Sequence, residues 1–407
     1  MSSTGYVARQ STQYGVPMTA VEPVEGQTLR HSPTTVWLPS LSGLRFGAVI
    51  VVFGFHVSVA GVFNSGGVKT LLAWIFGAGA GGVSLFFIIS GFVLTWSAQP
   101  DETPARFWWR RFAKIYPNHA ATSLVALVAI AVAGAGVSAA VVLPNLLLIH
   151  VWIPDQRIFF GLNAVSWFIA CEAFFYAVFP ALYRWLDRLP SRALWPGTLA
   201  IFATTWAIPL AAQHLPGLAR YWVIWILPLS RLPEFVAGML LARIVQTARW
   251  PSLGVAPLAV IAGAAYFASS LLPVDFRYVA ATAAPLALLV AALGAADAAA
   301  ANAVDRAHTS SPANVADAAK DASVDSRATP SRFRWMVRLG EYAFAFFLVH
   351  QLALRFVVKV AGPADSELAA MAVVLSAFAV AVLGSWLLHH FVELPAARLL
   401  TRARSPA

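Results

Sequence analysis

The sequence predicts an all-α membrane protein, built as a bundle of about ten transmembrane helices with one candidate re-entrant segment. Hydrophobic residues make up 59% of the 407 residues, charged residues only 11%, and the mean hydropathy is +0.71. This composition is too apolar for a soluble globular protein. Apolar stretches of about 20 residues, the length that crosses a bilayer as a helix, recur between polar segments. Most of the chain is therefore expected to lie in the bilayer.

Ten stretches have the length and composition of a transmembrane helix. They cover residues 40-61, 74-97, 116-137, 164-183, 194-213, 221-246, 253-272, 278-297, 339-360 and 368-391. Residues 140-153 are also apolar, but this stretch has 14 residues and is interrupted by Pro144, so it suits a re-entrant or interfacial segment better than a span. If it did cross, every later loop would change sides.

The basic residues favour ten spans with both termini in the cytosol. On that threading most of the 28 lysines and arginines lie in cytosolic segments, as the positive-inside rule requires. External loops hold four of them, Lys69, Arg157, Arg220 and Arg277. The net charge of +10 therefore reflects topology, and we expect no nucleic-acid partner. The predicted location is the cytoplasmic membrane, with the lipid bilayer as the first partner.

Three polar segments interrupt or flank the membrane domain, which we place at residues 39-395. Residues 1-38 lack the apolar core of a signal peptide and are expected to form a flexible cytosolic tail. Residues 298-334 are rich in Ala, Asp and Ser and are expected to form a disordered cytosolic loop, because they cannot bury enough apolar surface. Residues 396-407 form a short basic tail. The single cysteine, Cys171, excludes an internal disulfide.

The first predicted helix carries an arginine and a histidine in an otherwise apolar run, LSGLRFGAVIVVFGFH at residues 41-56. Arg45 and His56 are eleven residues apart, which places both side chains within about 20° on one helix face and roughly 16 Å apart along it. An arginine facing lipid costs about 2.5–3.5 kcal/mol on insertion scales. Both residues are therefore expected to face a protein interior or a wet cavity, as one wall of a reaction path.

Glu172 in the fourth predicted helix is the expected partner of His56. On the threading above both residues lie in the outer half of the bundle at a similar depth. A carboxylate that orients a neutral imidazole makes it a general base, because it sets the tautomer and stabilises the imidazolium that forms. The alternative is a structural core histidine that hydrogen-bonds a backbone carbonyl.

Further ionisable residues lie in the later spans. Arg231 and Glu234 are three residues apart and can neutralise each other, so a structural salt bridge and a functional pair are both open. Pro233 between them is expected to break the helical hydrogen-bond ladder and leave a carbonyl free to line a cavity. His350 lies at mid-depth in the ninth span, where a packing role is the main alternative.

A basic aromatic segment, RFWWRRFAKIYP at residues 106-117, joins the second and third spans. Arg110, Arg111 and Lys114 can bind an anionic, phosphate-bearing ligand from the cytosol. The alternative is a collar at the membrane surface. No metal is expected. Cys171, beside Glu172, is expected to be inert, since a thiol in apolar surroundings stays protonated.

Together these segments resemble the acyltransferase-3 family of integral-membrane acyltransferases. Seven stretches carry the resemblance in the family's order: LSGLRFGAVIVVFGFH, GGVSLFFIISGFVLTWS, RRFAKIYP, SWFIACEAFFYAVFPAL, SRLPEFVAGMLLA, LGEYAFAFFLVHQ and HHFVELPA. The first is the family's most specific motif. The matching stretches cover nearly the whole membrane domain.

The resemblance implies an O-acyltransferase that moves an acyl group, usually acetyl, from cytosolic acyl-coenzyme A (acyl-CoA) to a hydroxyl of an extracytoplasmic carbohydrate or glycosylated acceptor. Arg45 and His56 correspond to the signature pair and Glu172 to the acidic residue of a WSxxxE-like segment. Arg111 and Lys114 stand where the family has an Arg-x-x-Arg pair, and the lysine loses the bidentate fork of the second arginine. The resemblance leaves the acceptor and the acyl chain open.

The expected mechanism follows from these positions. Phosphates of acyl-CoA bind Arg110, Arg111 and Lys114, the thioester arm passes Arg45, and His56, held by Glu172, takes the acceptor proton. Arg231 or a backbone amide near Pro233 is the candidate oxyanion donor. Supporting roles are assigned to a last set of residues, Glu234, His350, Trp167 and Ser90. The rival class is a transporter of an anionic solute, which would need two related halves, and the sequence has no convincing internal repeat.

Overall fold

The computed structural model describes residues 38–63, 66–99, 101–309 and 334–402. These residues are folded into helices and connecting turns, with no strand among them. The predicted class of an all-α membrane bundle is confirmed. Residues 1-37, 310-333 and 403-407 lie outside the described residues, so the predictions for them stay predictions. The expectation of disorder is wrong for residues 298-309, because a helix runs from Ala283 to Thr309.

Sixteen α-helices, numbered here in chain order, make up the described part of the chain. They are α1 (Pro39–Val59), α2 (Gly67–Phe76), α3 (Gly81–Trp96), α4 (Pro104–Val132), α5 (Ala139–Leu146), α6 (Gln156–Phe159), α7 (Ser166–Asp187), α8 (Leu194–Ala212), α9 (Gly217–Tyr221), α10 (Pro228–Gln246), α11 (Val255–Ala268), α12 (Val274–Arg277), α13 (Ala283–Thr309), α14 (Arg334–Ala361), α15 (Glu367–Leu388) and α16 (Leu394–Arg402). Short π-helical segments occur at Trp222–Ile226 and His389–Glu393.

Nine helical stretches within the described residues are long and apolar enough to cross a membrane. They are Pro39–Val59, Gly67–Trp96, Pro104–Val132, Ser166–Asp187, Ser191–Ala212, Gly217–Gln246, Ala283–Ala303, Val337–Ala361 and Glu367–Leu400. The seventh predicted span, 253-272, is shorter than expected and comprises the apolar helical stretch Val255–Leu271.

The centre of the bundle is the contact between α3 and α10, where two glycines allow the backbones to touch. A Cβ atom added to Gly91 would overlap the carbonyl oxygen of Phe235, and one added to Gly238 would overlap the carbonyl oxygen of Ile88. Small residues at such crossings maximise van der Waals contact between membrane helices, which have no hydrophobic driving force in lipid. This contact holds α10, and therefore Arg231, in place.

The break in the sixth predicted span lies earlier than expected. Pro233 is inside α10, which continues past it, although a proline has no N–H to donate to the carbonyl four residues earlier. The interruption is at Leu227, whose extended backbone (φ −62°, ψ 122°) separates the π-helical segment from α10. Pro228 at the first helical position explains this, because a proline disfavours α geometry in the preceding residue and is tolerated at a helix start.

Residues 139–165 form a folded-back segment, without a membrane-length helix. It contains α5, a turn with Leu148 at a left-handed φ of 59°, and the short α6. Asn145 ties the segment together, because its Nδ2 donates to the carbonyls of Val141 (2.9 Å) and Ile158 (2.8 Å). Trp222 Nε1 donates to the carbonyl of Val151 at 2.8 Å. This conformation favours the re-entrant interpretation of 140-153.

A cysteine-accessibility experiment tests that interpretation. In a Cys171→Ala background, a cysteine replacing the exposed Gln156 should react with an impermeant thiol reagent from outside intact cells, while one replacing the exposed Arg188 should react only after permeabilisation. Buried Cys171 is removed so that it gives no background. If the two positions label with the opposite sidedness, residues 140-153 cross the membrane.

Candidate active site

Two cavities open towards opposite ends of the bundle, and α1 lines both. The first, called here the His56 cavity, has a volume of about 620 Å³, and the second, called the Arg45 cavity, about 250 Å³. Successive spanning helices alternate in direction, so the start of α1, the end of α3 and the starts of α4 and α14 lie at one end. Their residues at that end line the Arg45 cavity: Ser42, Leu94, Arg111 and Glu341. The opposite ends of α1, α3 and α14 supply His56, Ala80 and Arg355 to the His56 cavity.

His56 projects into its cavity with one ring nitrogen held and the other without a described partner. Its Nδ1 lies 3.0 Å from the carbonyl oxygen of Val52, one turn earlier in α1, and 3.1 Å from Nε2 of His350. Among the described residues, no hydrogen bond to His56 Nε2 is seen. The side chain is half-buried and lines the cavity wall.

His350 sets the tautomer of His56. Its own Nδ1 lies 2.7 Å from the carbonyl oxygen of Phe347, and a carbonyl can only accept, so Nδ1 carries the proton. Neutral His350 then has an unprotonated Nε2, which accepts a hydrogen bond. The proton between the two rings therefore resides on Nδ1 of His56, and the lone pair of His56 is on Nε2. This is the tautomer that a general base needs.

Arg231 and Glu234 form a fully buried ion pair beside the same cavity. Arg231 Nε lies 3.1 Å from Glu234 Oε2, and Nη2 lies 3.2 Å from Oε1, with exposed side-chain fractions of 2% and 0%. The guanidinium stacks over the rings of Phe87 and Trp167, at 5.3 Å and 6.0 Å from their centroids. Arg231 and Trp167 line the His56 cavity, whereas Glu234 lies behind them.

The Arg45 cavity contains cations from two helices and the carboxylate of Glu172. Arg45, Arg111 and Lys114 line it, and Lys114 is solvent-exposed. Ser90 donates a hydrogen bond of 2.8 Å to Glu172 Oε2, and Glu172 is buried. Because a buried carboxylate needs compensating charge, Glu172 and the cations stabilise one another.

The expected pairing of His56 with Glu172 is therefore absent, and Glu172 instead shares a cavity with Arg45. The depth estimate was wrong because α7 begins inside the bundle. The residues just before it already lie at the level of the two histidines: Asn163 Nδ2 donates to the carbonyl of Leu348 at 2.8 Å, and Val165 lines the His56 cavity. Glu172 follows seven residues later, about 10 Å further along the helix.

The predicted cations of the basic segment divide between two neighbouring cavities. Arg110 lines a third cavity of about 240 Å³ together with Arg184, and its guanidinium is paired with Glu102. Arg111 lines both this cavity and the Arg45 cavity, and its guanidinium lies over the rings of Phe107 and Tyr176. Arg111 therefore lies at the boundary between the third cavity and the Arg45 cavity.

Several site residues were missed from the sequence. Arg220 and Asp275 form an ion pair of 2.6 Å at the His56 cavity, and Trp225 and Tyr278 line it with their rings 4.9 Å apart. They come from the short helices α9 and α12, from the π-helical segment Trp222–Ile226 and from the residue after α12, and none of them belongs to a recognised motif. In the Arg45 cavity, Glu393 accepts hydrogen bonds from Asn118 (3.1 Å) and contacts His389 (3.2 Å). The segment HHFVELPA contains both His389 and Glu393, so its place in the resemblance was the available signal.

An acyltransferase-domain family model matches residues 38–390, nearly the whole described part. Acyltransferase MdmB from Streptomyces mycarofaciens is 36% identical over 396 residues, covering 92% of this chain and 95% of that protein. Peptidoglycan O-acetyltransferase OatA from Listeria monocytogenes is 31% identical over 97 residues, covering 22% of this chain and 13% of that protein. No solved structure matches significantly.

The match of the family model and the identity to MdmB agree with the order of motifs along the chain and with the membrane bundle that they build. The chain belongs to the acyltransferase-3 family and is an integral, multi-pass membrane acyltransferase.

Proposed function

We propose that this acyltransferase moves an acyl group, most simply acetyl, from acyl-CoA in the cytosol to a hydroxyl of an extracytoplasmic carbohydrate or glycosylated acceptor. The observation that carries the proposal is the pair of cavities on one helix. A basic cavity that suits an anionic donor lies at one end of α1, and a larger cavity containing a histidine with a free Nε2 lies at the other. By the positive-inside rule the basic end faces the cytosol.

Arg45, Arg111 and Lys114 receive the donor. Coenzyme A carries phosphates, and arginine and lysine bind phosphate through charge-assisted hydrogen bonds. Glu172 keeps these cations in place without neutralising them all. The name of the partial relative, peptidoglycan O-acetyltransferase OatA, describes acetyl transfer to peptidoglycan, which supports an acetyl donor and a glycan acceptor for this chain.

The His56 cavity receives the acceptor. Aromatic rings such as Trp225 and Tyr278, together with the polar groups of Gln351 and the Arg220–Asp275 pair, line it. His56 Nε2 accepts the proton of the acceptor hydroxyl as the oxygen attacks the thioester carbonyl. The imidazolium returns that proton to the departing thiolate, so that an ester and a free thiol result. Arg231 is assigned to stabilise the oxyanion.

An assay with purified protein tests the proposal against the transporter alternative. The protein in detergent is incubated with radiolabelled acetyl-CoA and a panel of muropeptides and simple glycosides, and both released CoA thiol and labelled product are measured. An acyltransferase of this kind acetylates at least one member of the panel. A second sample, reconstituted in liposomes, is assayed for uptake of the label. Uptake there, with no acetylated product in either sample, would contradict the proposal and favour a transporter.

Replacing Arg111 and Lys114 together by alanine tests the donor site. The double variant loses two phosphate partners but keeps His56 and His350, so the KM for acetyl-CoA should rise at least tenfold while kcat changes less. Steady-state kinetics at saturating acceptor measures both constants. The matched control is Arg188→Ala, which removes an exposed cation at the same end of the bundle that lines neither cavity. An unchanged KM in the double variant would place the donor elsewhere.

A further inference from the structure

One buried aromatic residue lines both cavities. Phe347 in α14 is the residue, among those described, that lines both the His56 cavity and the Arg45 cavity. It is 1% exposed, so its ring fills the space between them. Its neighbours are also rings: the centroids of Phe168 and Phe86 lie 4.7 Å and 5.6 Å away, and that of His350 lies 5.6 Å away.

The position of this ring creates a geometric problem for the reaction. Phosphate-binding cations lie in the Arg45 cavity, whereas the base lies about 16 Å further along α1. The acyl group must travel between the cavities, and Phe347 closes the way. A path that stayed open would connect water at the two ends of the bundle and expose the thioester to hydrolysis.

We propose that the Phe347 side chain is a movable partition, which closes the passage between the cavities and is displaced by the acyl arm of the donor. The displacement by the acyl arm rests on the proposed function, because it needs an acyl donor. The closure of the passage by the Phe347 ring does not depend on that function. Rotation about χ1 moves a benzyl group between staggered positions, and the 620 Å³ cavity beside it has room for the displaced ring. The backbone carbonyl of Phe347 keeps its contact with His350 in either position, since ring rotation leaves the backbone in place.

The preceding residue provides a matched comparison. Phe346 has the same side chain on the same helix and is 2% exposed, but it lines neither cavity. It packs against Phe53 and Phe378, at centroid distances of 6.0 Å and 5.7 Å. Truncating Phe346 therefore removes a similar buried volume without joining the cavities.

Proton leakage tests the partition without any chemistry. Phe347→Ala, Phe346→Ala and the unaltered protein are reconstituted in liposomes loaded with a pH-sensitive dye, and a pH step is applied. Phe347→Ala is expected to dissipate the gradient at least fivefold faster than the unaltered protein, and Phe346→Ala at the unaltered rate. Equal rates for the two variants would overturn the proposal.

A larger ring tests the movement. Phe347→Trp should fill the passage, so that binding of radiolabelled acetyl-CoA stays within twofold while acceptor-dependent release of CoA thiol falls at least tenfold. Release at the unaltered rate by a monodisperse Phe347→Trp protein would overturn the proposal. If the unaltered protein transfers no acyl group, the proposed function fails, and the leakage experiment still decides whether Phe347 separates the cavities.

Discussion

Replacing His56 by alanine should lower acyl transfer by about 10²–10⁴-fold, the range typical for loss of a general base. The hydroxyl of the acceptor is a poor nucleophile until its proton is removed, and no other described side chain places an unprotonated imidazole nitrogen in this cavity. The protein should still fold, because His56 is half-buried and the substitution removes only the contacts of its Nδ1 with the Val52 carbonyl and with His350. Turnover of labelled acetyl-CoA with saturating acceptor measures the loss.

His390→Ala is the control for that experiment. His390 also contacts the carbonyl of the residue four positions earlier, Trp386 at 3.0 Å, but it lines neither cavity. Its loss should leave turnover nearly unchanged. The turnover of His350→Ala should lie between the turnovers of His56→Ala and His390→Ala, because the Val52 carbonyl still holds the Nδ1 proton of His56. Wild-type turnover by His56→Ala would exclude His56 as the base.

Replacing Arg231 by alanine should lower the stability of the fold by about 3–5 kcal/mol. The substitution leaves Glu234 with no exposed surface and no compensating charge, which is the costly way to break a buried pair. The unfolding transition of the protein in detergent measures the effect, by chemical denaturation or by thermal shift at several denaturant concentrations. Loss of activity in this variant would then follow from the damaged fold.

The double variant Arg231→Met, Glu234→Gln tests whether the unpaired buried charge, and not the lost side-chain volume, causes the instability of Arg231→Ala. It removes both charges and keeps most of the volume, so it should cost much less than Arg231→Ala alone, and the two substitutions should be strongly non-additive. A double variant as unstable as Arg231→Ala would show that the charge on Glu234 is not the cause. If the double variant folds but has lost kcat, Arg231 acts on the transition state.

The fold class followed from hydropathy alone, because lipid leaves few alternatives to helices for a chain of this composition. The shared face of Arg45 and His56 also followed, since helix periodicity relates residues eleven apart without any tertiary information. Both side chains do line cavities, although two different ones. Local periodicity predicts a face, but it does not say which other helices complete the wall.

The partner of His56 could not be deduced from the sequence. His350 is 294 residues away, and the contact depends on how α14 packs against α1. The sequence places helix ends only approximately, so a depth counted from those ends puts Glu172 wrongly at the level of His56. The folded-back segment 139–165 carries the chain into the bundle before α7 begins. The hydropathy of that segment does not indicate the depth at which α7 begins.

The position of the interruption in the sixth predicted span could not be deduced from the sequence either. Two prolines five residues apart, Pro228 and Pro233, were both able to interrupt a helix. Pro228 marks the break because the chain turns there from the π-helical segment into α10, whereas the crossing with α3 holds the helix together around Pro233. Helix packing, which the sequence does not show, therefore determines which of the two prolines marks the break.

The central claim is that the donor and the acceptor reach the reaction from opposite sides of the membrane, and transfer across a sealed bilayer tests it most directly. Purified protein is reconstituted in liposomes that contain an acceptor identified in the solution assay, and radiolabelled acetyl-CoA, which cannot cross the bilayer, is added outside. Labelled acceptor is expected inside the liposomes, and at most about 1% as much with His56→Ala. Acylation only when donor and acceptor share one compartment would contradict the claim.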